Sequence, residues 1–305
     1  MKKKILIIGS TGFLGSNTLN YFCKNKQYSV YALTRKKQNY PKNIKQINSN
    51  LYNFNKLFND INKIKFNIVI NLALYVDHEV DFEKGYKKLL YNFRCTKNII
   101  TALNKKNIEK YIHIGSSDEY LITNSVVKEV QNLDPKNYYS LSKIFISNYL
   151  QLLYKLNNFP IVIIRPFLVY GEGQKENRLI PYIINNSLNK KKVFLYKKTM
   201  TRDFLYINDF LNAINLIIKN NKTKGETFNI CFGKSYSINT LIKILKKKIE
   251  NINVVYNSRV RKYKQPEKIY ASNSKAKKIL KWRPKISLEE GLNRTLYSFL
   301  KNGKY

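Results

Sequence analysis

The 305-residue chain is 44% hydrophobic and 13% aromatic, which excludes a disordered polymer and suffices for one large domain or two of unequal size. Its formal charge of +37 invites a polyanionic partner, yet the lysines run along the whole chain with Asn, Ile and Tyr, as A/T-rich coding would produce, and form no single stripe. No specific nucleic-acid face, no membrane span and no disulfide framework or metal cluster is therefore expected: apolar runs stay below ~18 residues, and Cys23, Cys95 and Cys231 are odd in number and far apart.

In chain order, "KILII" at 4–8 reads as a short buried strand, followed by "GSTGFLG" and a helical stretch, "SNTLNYFCKN". The opening residues lack the small-residue cleavage site of a secretory leader, and a reducing, cytoplasmic setting is expected. Strands follow at 28–33 and within 66–74, then a helical pattern at 89–106, a strand at 110–117, a helix bearing Tyr139 and Lys143, and a strand within 159–171. Continuous Val/Ile/Leu strands alternating with helices predict an α/β fold: a Rossmann-type, doubly wound parallel sheet covered on both faces. The pattern loosens after residue 166. The expected division is a dinucleotide-binding domain over 1–166, to which the chain returns around 204–232, and a smaller, mostly helical substrate domain over 167–305.

Gly9, Gly12 and Gly15 lie between strand and helix, where glycines allow a tight turn and close approach of a pyrophosphate held at the helix N-terminus. An NAD site ordinarily places an acidic residue at the end of the second strand, but no Asp or Glu precedes Asp60. The strand ends instead in Thr34-Arg35-Lys36-Lys37, and the Arg35 guanidinium suits a 2′-phosphate, so NADP is favoured over NAD.

"HIGSSDEY" at 113–120 ends a strand in two hydroxyls, and Tyr139 and Lys143 stand at helical i,i+4 spacing on one face. Tyrosine near pKa ~10 is a poor base at neutral pH, and lowering it by about three units costs roughly 4 kcal/mol. Adjacent positive charge is the means, from Lys143 and from an oxidised nicotinamide. Tyr139 would exchange the proton while a hydride moves at the attached carbon, and a serine hydroxyl would orient the substrate oxygen.

With "GSTGFLG", "NLA" at 71–73, Asn92 in "YNFRCTKNII", "GSSDEY", "YSLSK", "RPFLVYGEGQ", "TRDFLYINDF" and "LKWRPKISLEEGL" in this order, the chain resembles an extended short-chain dehydrogenase/reductase of the nucleotide-sugar epimerase/dehydratase group over nearly its whole length. The resemblance implies a catalytic set of Ser116, Tyr139 and Lys143, with Ser116 reached by ungapped alignment back from Tyr120. It also implies a cofactor lined by Thr11, Phe13 and Leu14 in the glycine loop, Asn50 and Leu51 near the adenine, Leu72 and Ala73, Asn92, and Pro166. The partner it implies is a nucleoside-diphosphate sugar. Helices near 86–104 and 139–155 resemble the pair that forms a homodimer interface in the group. Ser117, Asp118 and Arg202 are expected at the substrate, and Arg178 and Arg261 (or Arg259) are candidates for its diphosphate. Arg202 and Asp203 read equally as substrate contacts or as an ion pair. His78 lies in a loop near the expected substrate entrance, and His113 reads as a packed core residue.

Leu168 stands where many members carry Asn, and Leu121 where Gly is common. Dehydratases of the group use an Asp-Glu pair directly after the catalytic hydroxyl, whereas Asp118-Glu119 is offset by one from Ser116. The leading expectation is thus an NADP-dependent 4-ketoreductase acting on a nucleotide-linked keto-deoxysugar. The alternatives are a 4-epimerase or 4,6-dehydratase with tightly held NAD, and a non-catalytic relative that binds RNA.

Overall fold

The computed structural model describes residues 2–74, 81–103, 105–122, 126–257 and 267–302. The chain divides into two compact units, the first comprising Met1–Leu121, Glu129–Pro166 and Ile214–Phe228, the second Ile122–Lys128, Phe167–Ala213 and Asn229–Tyr305.

In the first unit β1 (Lys3–Ile8) runs into α1 (Phe13–Cys23), followed by β2 (Tyr28–Thr34), β3 (Ile44–Asn48), α2 (Phe54–Ile61) and β4 (Ile68–Asn71). The chain continues through α3 (Phe82–Ala102), β5 (Lys110–Ile114), α4 (Tyr138–Asn157) and β6 (Ile161–Pro166). β1 to β6 pair in parallel. Leu6, Ile8, Val69, Ile161 and Ile163 from the strands share one core cluster with Ile99 and Ile100 of α3 and Ile146 and Leu150 of α4. β1, β4 and β6 accordingly read as nearly unbroken Ile/Val/Leu runs, since both of their faces are covered. The helices start where side chains supply an acceptor. Asp81 takes the Lys84 N–H at 2.9 Å, and Asn137 takes the Ser140 N–H at 2.9 Å.

β7 (Leu168–Tyr170), α5 (Leu179–Leu188), β8 (Val193–Leu195), β9 (Thr201–Tyr206) and α6 (Ile207–Lys219) come next. β10 (Thr227–Ile230) follows and completes a seven-stranded sheet in the order β10-β6-β5-β4-β1-β2-β3. The remainder is β11 (Ser235–Ser237), α7 (Ile238–Lys246), β12 (Val254–Tyr256), α8 (Ser274–Leu280) and α9 (Leu288–Asn302). Helices α5, α7, α8 and α9 in the second unit accompany a three-stranded sheet, β11-β9-β7, and a β12-β8 pair.

The second unit is fastened by a buried carboxylate. Asp209 accepts from the Lys285 N–H at 3.0 Å and the Ile286 N–H at 2.9 Å, while its carbonyl accepts from Nε1 of the fully buried Trp282 at 3.1 Å. Each buried donor left unmade costs about 1–3 kcal/mol. Asp209→Ala is therefore expected to lower stability in a urea melt by at least ~2 kcal/mol.

Candidate active site and cofactor cradle

The glycine loop shows three different reasons for its residues. Gly9 has φ +82°, and a Cβ there would lie 2.8 Å from the Ala73 nitrogen, so the end of β1 presses on Leu72 and Ala73 beyond β4. A Cβ on Gly15 would stand 2.0 Å from the Gly9 carbonyl oxygen, which makes Gly15 a packing requirement. Gly12 differs, because the nearest atom to a Cβ there is 3.6 Å away. It caps α1 with no side-chain hydrogen bond, and the first turn of α1 contains no acidic residue. The helix N-terminus therefore keeps its N–H groups, with Phe13 and Leu14 half-buried and Thr11 exposed beside them. That cradle fits an anionic pyrophosphate.

The end of β2 is held from β3. Gln46 Nε2 donates to Thr34 Oγ1 at 2.9 Å and to the Lys36 carbonyl at 3.2 Å, and its Oε1 accepts from the Gln38 N–H at 3.2 Å. Asn48, with its amide nitrogen turned inward, donates to the Arg35 carbonyl at 3.0 Å. The Arg35 side chain itself is exposed. Asn50 is exposed and accepts from the Tyr52 N–H at 3.0 Å, and Asn98 of α3 donates to the Leu51 carbonyl at 2.9 Å. Gln46, Asn48 and Asn98 went unseen in the sequence, where Asn is abundant and carries no local signature. Asn92 is buried and donates to Ser142 Oγ at 3.3 Å, tying α3 to α4, and Pro166 is half-buried at the end of β6.

Ser116, Tyr139 and Lys143 all belong to the first unit, and all are buried. Ser116 caps a short 3-10 turn, Ser117–Glu119, and its Oγ accepts from the Asp118 N–H at 3.1 Å. Ser117 and Asp118 are half-buried. Tyr139 and Lys143 occupy the first turns of α4. The ammonium lies 5.7 Å from the centre of the Tyr139 ring and donates to the Ile114 carbonyl at 2.5 Å, two residues before Ser116. α4 is thereby packed onto the loop that carries the hydroxyl.

Burial lowers Lys143 to about 8, against the opposing pull of Glu119 and Asp118. A value below the ordinary one means that the folded chain binds fewer protons than the unfolded one between about 8 and 10.5. The contribution of Lys143 to stability therefore rises with pH across that window, and Lys143→Met should remove this part of the slope in urea melts. Were the ammonium needed for turnover, activity would carry the opposite sign and fall on the alkaline side with a midpoint near 8.

His113 is fully buried, and neither ring nitrogen has a hydrogen-bond partner among the described residues. Burial and the neighbouring Lys143 keep it neutral, well below the usual imidazole range, in keeping with a packed core residue. Glu119 is likewise fully buried. It accepts from Arg165 Nε at 2.9 Å and from Ser147 Oγ at 3.0 Å, so its carboxylate is already committed.

The other expected substrate residues lie in the second unit. Arg202 is buried and donates to the Thr201 carbonyl at 2.7 Å. Neighbouring side chains in a strand point to opposite faces, and Asp203 accepts from the Phe232 and Gly233 N–H groups at 2.7 and 2.8 Å. Arg202 and Asp203 therefore do not face one another as an ion pair. Burial pushes Asp203 up to about 7. Arg178 is exposed at the N-cap of α5. His78, Arg259 and Arg261 lie outside the described residues.

Among the described residues, no helix is long and apolar enough to cross a membrane, and no group of three or more His, Cys, Asp or Glu residues could hold a metal ion. The model of the NAD dependent epimerase/dehydratase family matches residues 5–231. A putative UDP-glucose 4-epimerase of Methanocaldococcus jannaschii is 30% identical over 98% of both chains. A dTDP-D-glucose 4,6-dehydratase of Dictyostelium discoideum is 30% identical over 83% of this chain, which spans 62% of that protein's length. The solved structure of UDP-glucuronic acid 4-epimerase from Bacillus cereus, in complex with UDP-glucuronic acid and NAD, superposes with a TM-score of 0.82 at 25% identity, over 98% of this chain and 99% of that one.

Proposed function

Since the chain belongs to the NAD-dependent epimerase/dehydratase family, we propose that it is a nucleotide-sugar 4-epimerase, acting on C4 of a nucleoside-diphosphate sugar with a retained nicotinamide dinucleotide. The observation that carries this choice within the family is the state of Glu119. A 4,6-dehydratase of the kind expected from an Asp-Glu pair needs both carboxyl groups of the pair turned to the sugar. Glu119 is instead fully buried and bound to Arg165 and Ser147. The parallels to UDP-sugar 4-epimerases support the same reading.

The glycine loop, with Gly12 at the pyrophosphate, would hold the cofactor together with Asn50, Leu51, Leu72 and Ala73. A bound nicotinamide would supply the acceptor and donor for the C4 hydride. The chain's own residues handle the proton. Tyr139 removes it from the C4 hydroxyl and later gives it back, Lys143 stabilises the phenolate by charge, and Ser116 Oγ orients the sugar oxygen. Ser117, Asp118, Arg178 and Arg202, with Arg261, are proposed to contact the nucleotide sugar.

A 4-ketoreductase using NADPH is the second reading. It is favoured by the missing carboxylate at the end of β2, where Thr34 is taken up by Gln46 and Arg35 is exposed. The deciding test releases nucleotide from purified protein by heat and incubates the protein with UDP- and dTDP-hexoses. C4 epimers formed without added cofactor support the epimerase. Stoichiometric NADPH consumption, or a 4-keto-6-deoxy product, would overturn it.

We further propose a homodimer through α3 and α4. Phe82, Tyr86, Leu90, Phe145, Leu152 and Leu156 are exposed along these helices, with Phe82 at 66% and Leu156 at 70%. Across the pair, the Phe93 ring packs on Phe145 at 4.7 Å. The protein is expected to sediment as a dimer, and replacing Leu152 and Leu156 with glutamate should give monomers.

A further inference from the structure

Gly115 precedes Ser116, and its lack of a side chain has a specific cause. A Cβ there would lie 2.4 Å from Glu119 Oε1, and 3.3 Å from both Arg165 Cγ and the Ile164 carbonyl oxygen. The space is taken by a carboxylate that joins three pieces of the first unit. Oε1 accepts from the Ser116 N–H at 2.7 Å. Oε2 accepts from Ser147 Oγ on α4 at 3.0 Å, one turn beyond Lys143, and from Arg165 Nε on β6 at 2.9 Å. The guanidinium in turn lies 4.6 Å from the centre of the buried Tyr120 ring. One fully buried group thus sets the backbone of Ser116 against the helix bearing Tyr139 and Lys143.

We propose that Glu119, with Arg165 as its counter-ion, is a positioning residue: it fixes the Ser116 hydroxyl in register with Tyr139 and Lys143. A buried ion pair could equally serve stability alone. The two roles separate because replacing both partners of such a pair by neutral groups is often harmless to stability, whereas removing one strands a buried charge. A positioning role depends on the geometry itself, and displacement of a reacting group by about 1 Å costs on the order of 10²-fold in rate. The turnover consequence rests on the C4 chemistry proposed above; the holding of the loop does not.

The test compares full-length wild type, Arg165→Met, and the double variant Glu119→Gln with Arg165→Met. The single variant should show a large drop in thermal midpoint, and the double variant should regain most of it. On the nucleotide sugar that wild type converts, the double variant should remain roughly 10²-fold below wild-type kcat with little change in KM. Independently of any substrate, amide hydrogen exchange of the 115–121 segment should lose its protection in the double variant while β5 keeps its own. Recovery of turnover together with stability, or unchanged exchange at Ser116, would overturn the proposal. If wild type converts no sugar nucleotide, the functional reading falls and the exchange measurement alone decides this one.

Discussion

Tyr139→Phe is expected to lower turnover by about 10²–10⁴-fold, the range of a general acid–base contribution, while fold and cofactor affinity remain close to wild type. The substitution removes one oxygen and keeps the ring. The start of α4 does not depend on that oxygen, since the helix is capped by Asn137 through the Ser140 N–H, with Ser140 Oγ closing the capping box. The loss should therefore appear in kcat rather than in stability. Lys143→Met should be comparably inactive on the proposed mechanism, because it removes the charge assigned there to stabilising the phenolate. Thermal melts and NAD(P)H titration on the same preparations provide the controls. A Tyr139→Phe protein retaining wild-type turnover would remove Tyr139 from the chemistry.

Two glycines one helical turn apart should fail in opposite ways. Gly15→Ala drives a methyl group onto the Gly9 carbonyl oxygen, 2.0 Å away and part of the backbone, so something must shift. A stability loss of about 1–3 kcal/mol or more is expected, with poor yield of folded protein. Gly12→Ala meets no protein atom closer than 3.6 Å. Its stability should change by less than about 1 kcal/mol. On the proposed cradle the added methyl would compete with the pyrophosphate for this space, and affinity for NAD(P)H should fall about tenfold or more, equivalent to ~1.4 kcal/mol. Equal affinity in wild type and Gly12→Ala would mean that the loop does not hold the cofactor.

The parts of this molecule that were legible in sequence are those written in local pattern. β1, β4 and β6 are dense Ile/Val/Leu runs buried on two faces, β2 and β5 are buried along their length although Tyr, Ala and His break their aliphatic runs, and Tyr139 and Lys143 announce themselves by i,i+4 spacing. β3 was not legible: as an edge strand, "IKQIN" buries Ile44 and only half-buries Gln46 and Ile47. α2 is a helix of eight residues that leans on Asn53, which accepts from the Lys56 N–H at 3.1 Å. Roles that depend on distant partners were equally hidden. Nothing adjacent to Gln46 or Asn98 points to the segments they hold. Glu119 reads in sequence only as half of an Asp-Glu pair offset by one from Ser116, and its partner Arg165 lies 46 residues further along the chain. Composition posed a further obstacle, because in so basic a chain a functional arginine carries no contrast.

The order of the sheet has a consequence for how the chain is made. β6 lies between β5 and β10, yet the stretch from Phe167 to Glu226 must emerge from the ribosome before β10 can. Until then β6, with Ile161, Val162, Ile163 and Ile164 in succession, is an uncovered edge on a nascent chain. Ribosomes that stall or terminate in this stretch would leave a sheet open to pairing with its neighbours on the same message, so chaperone capture of the unfinished protein is expected to peak there and to end once β10 has been synthesised.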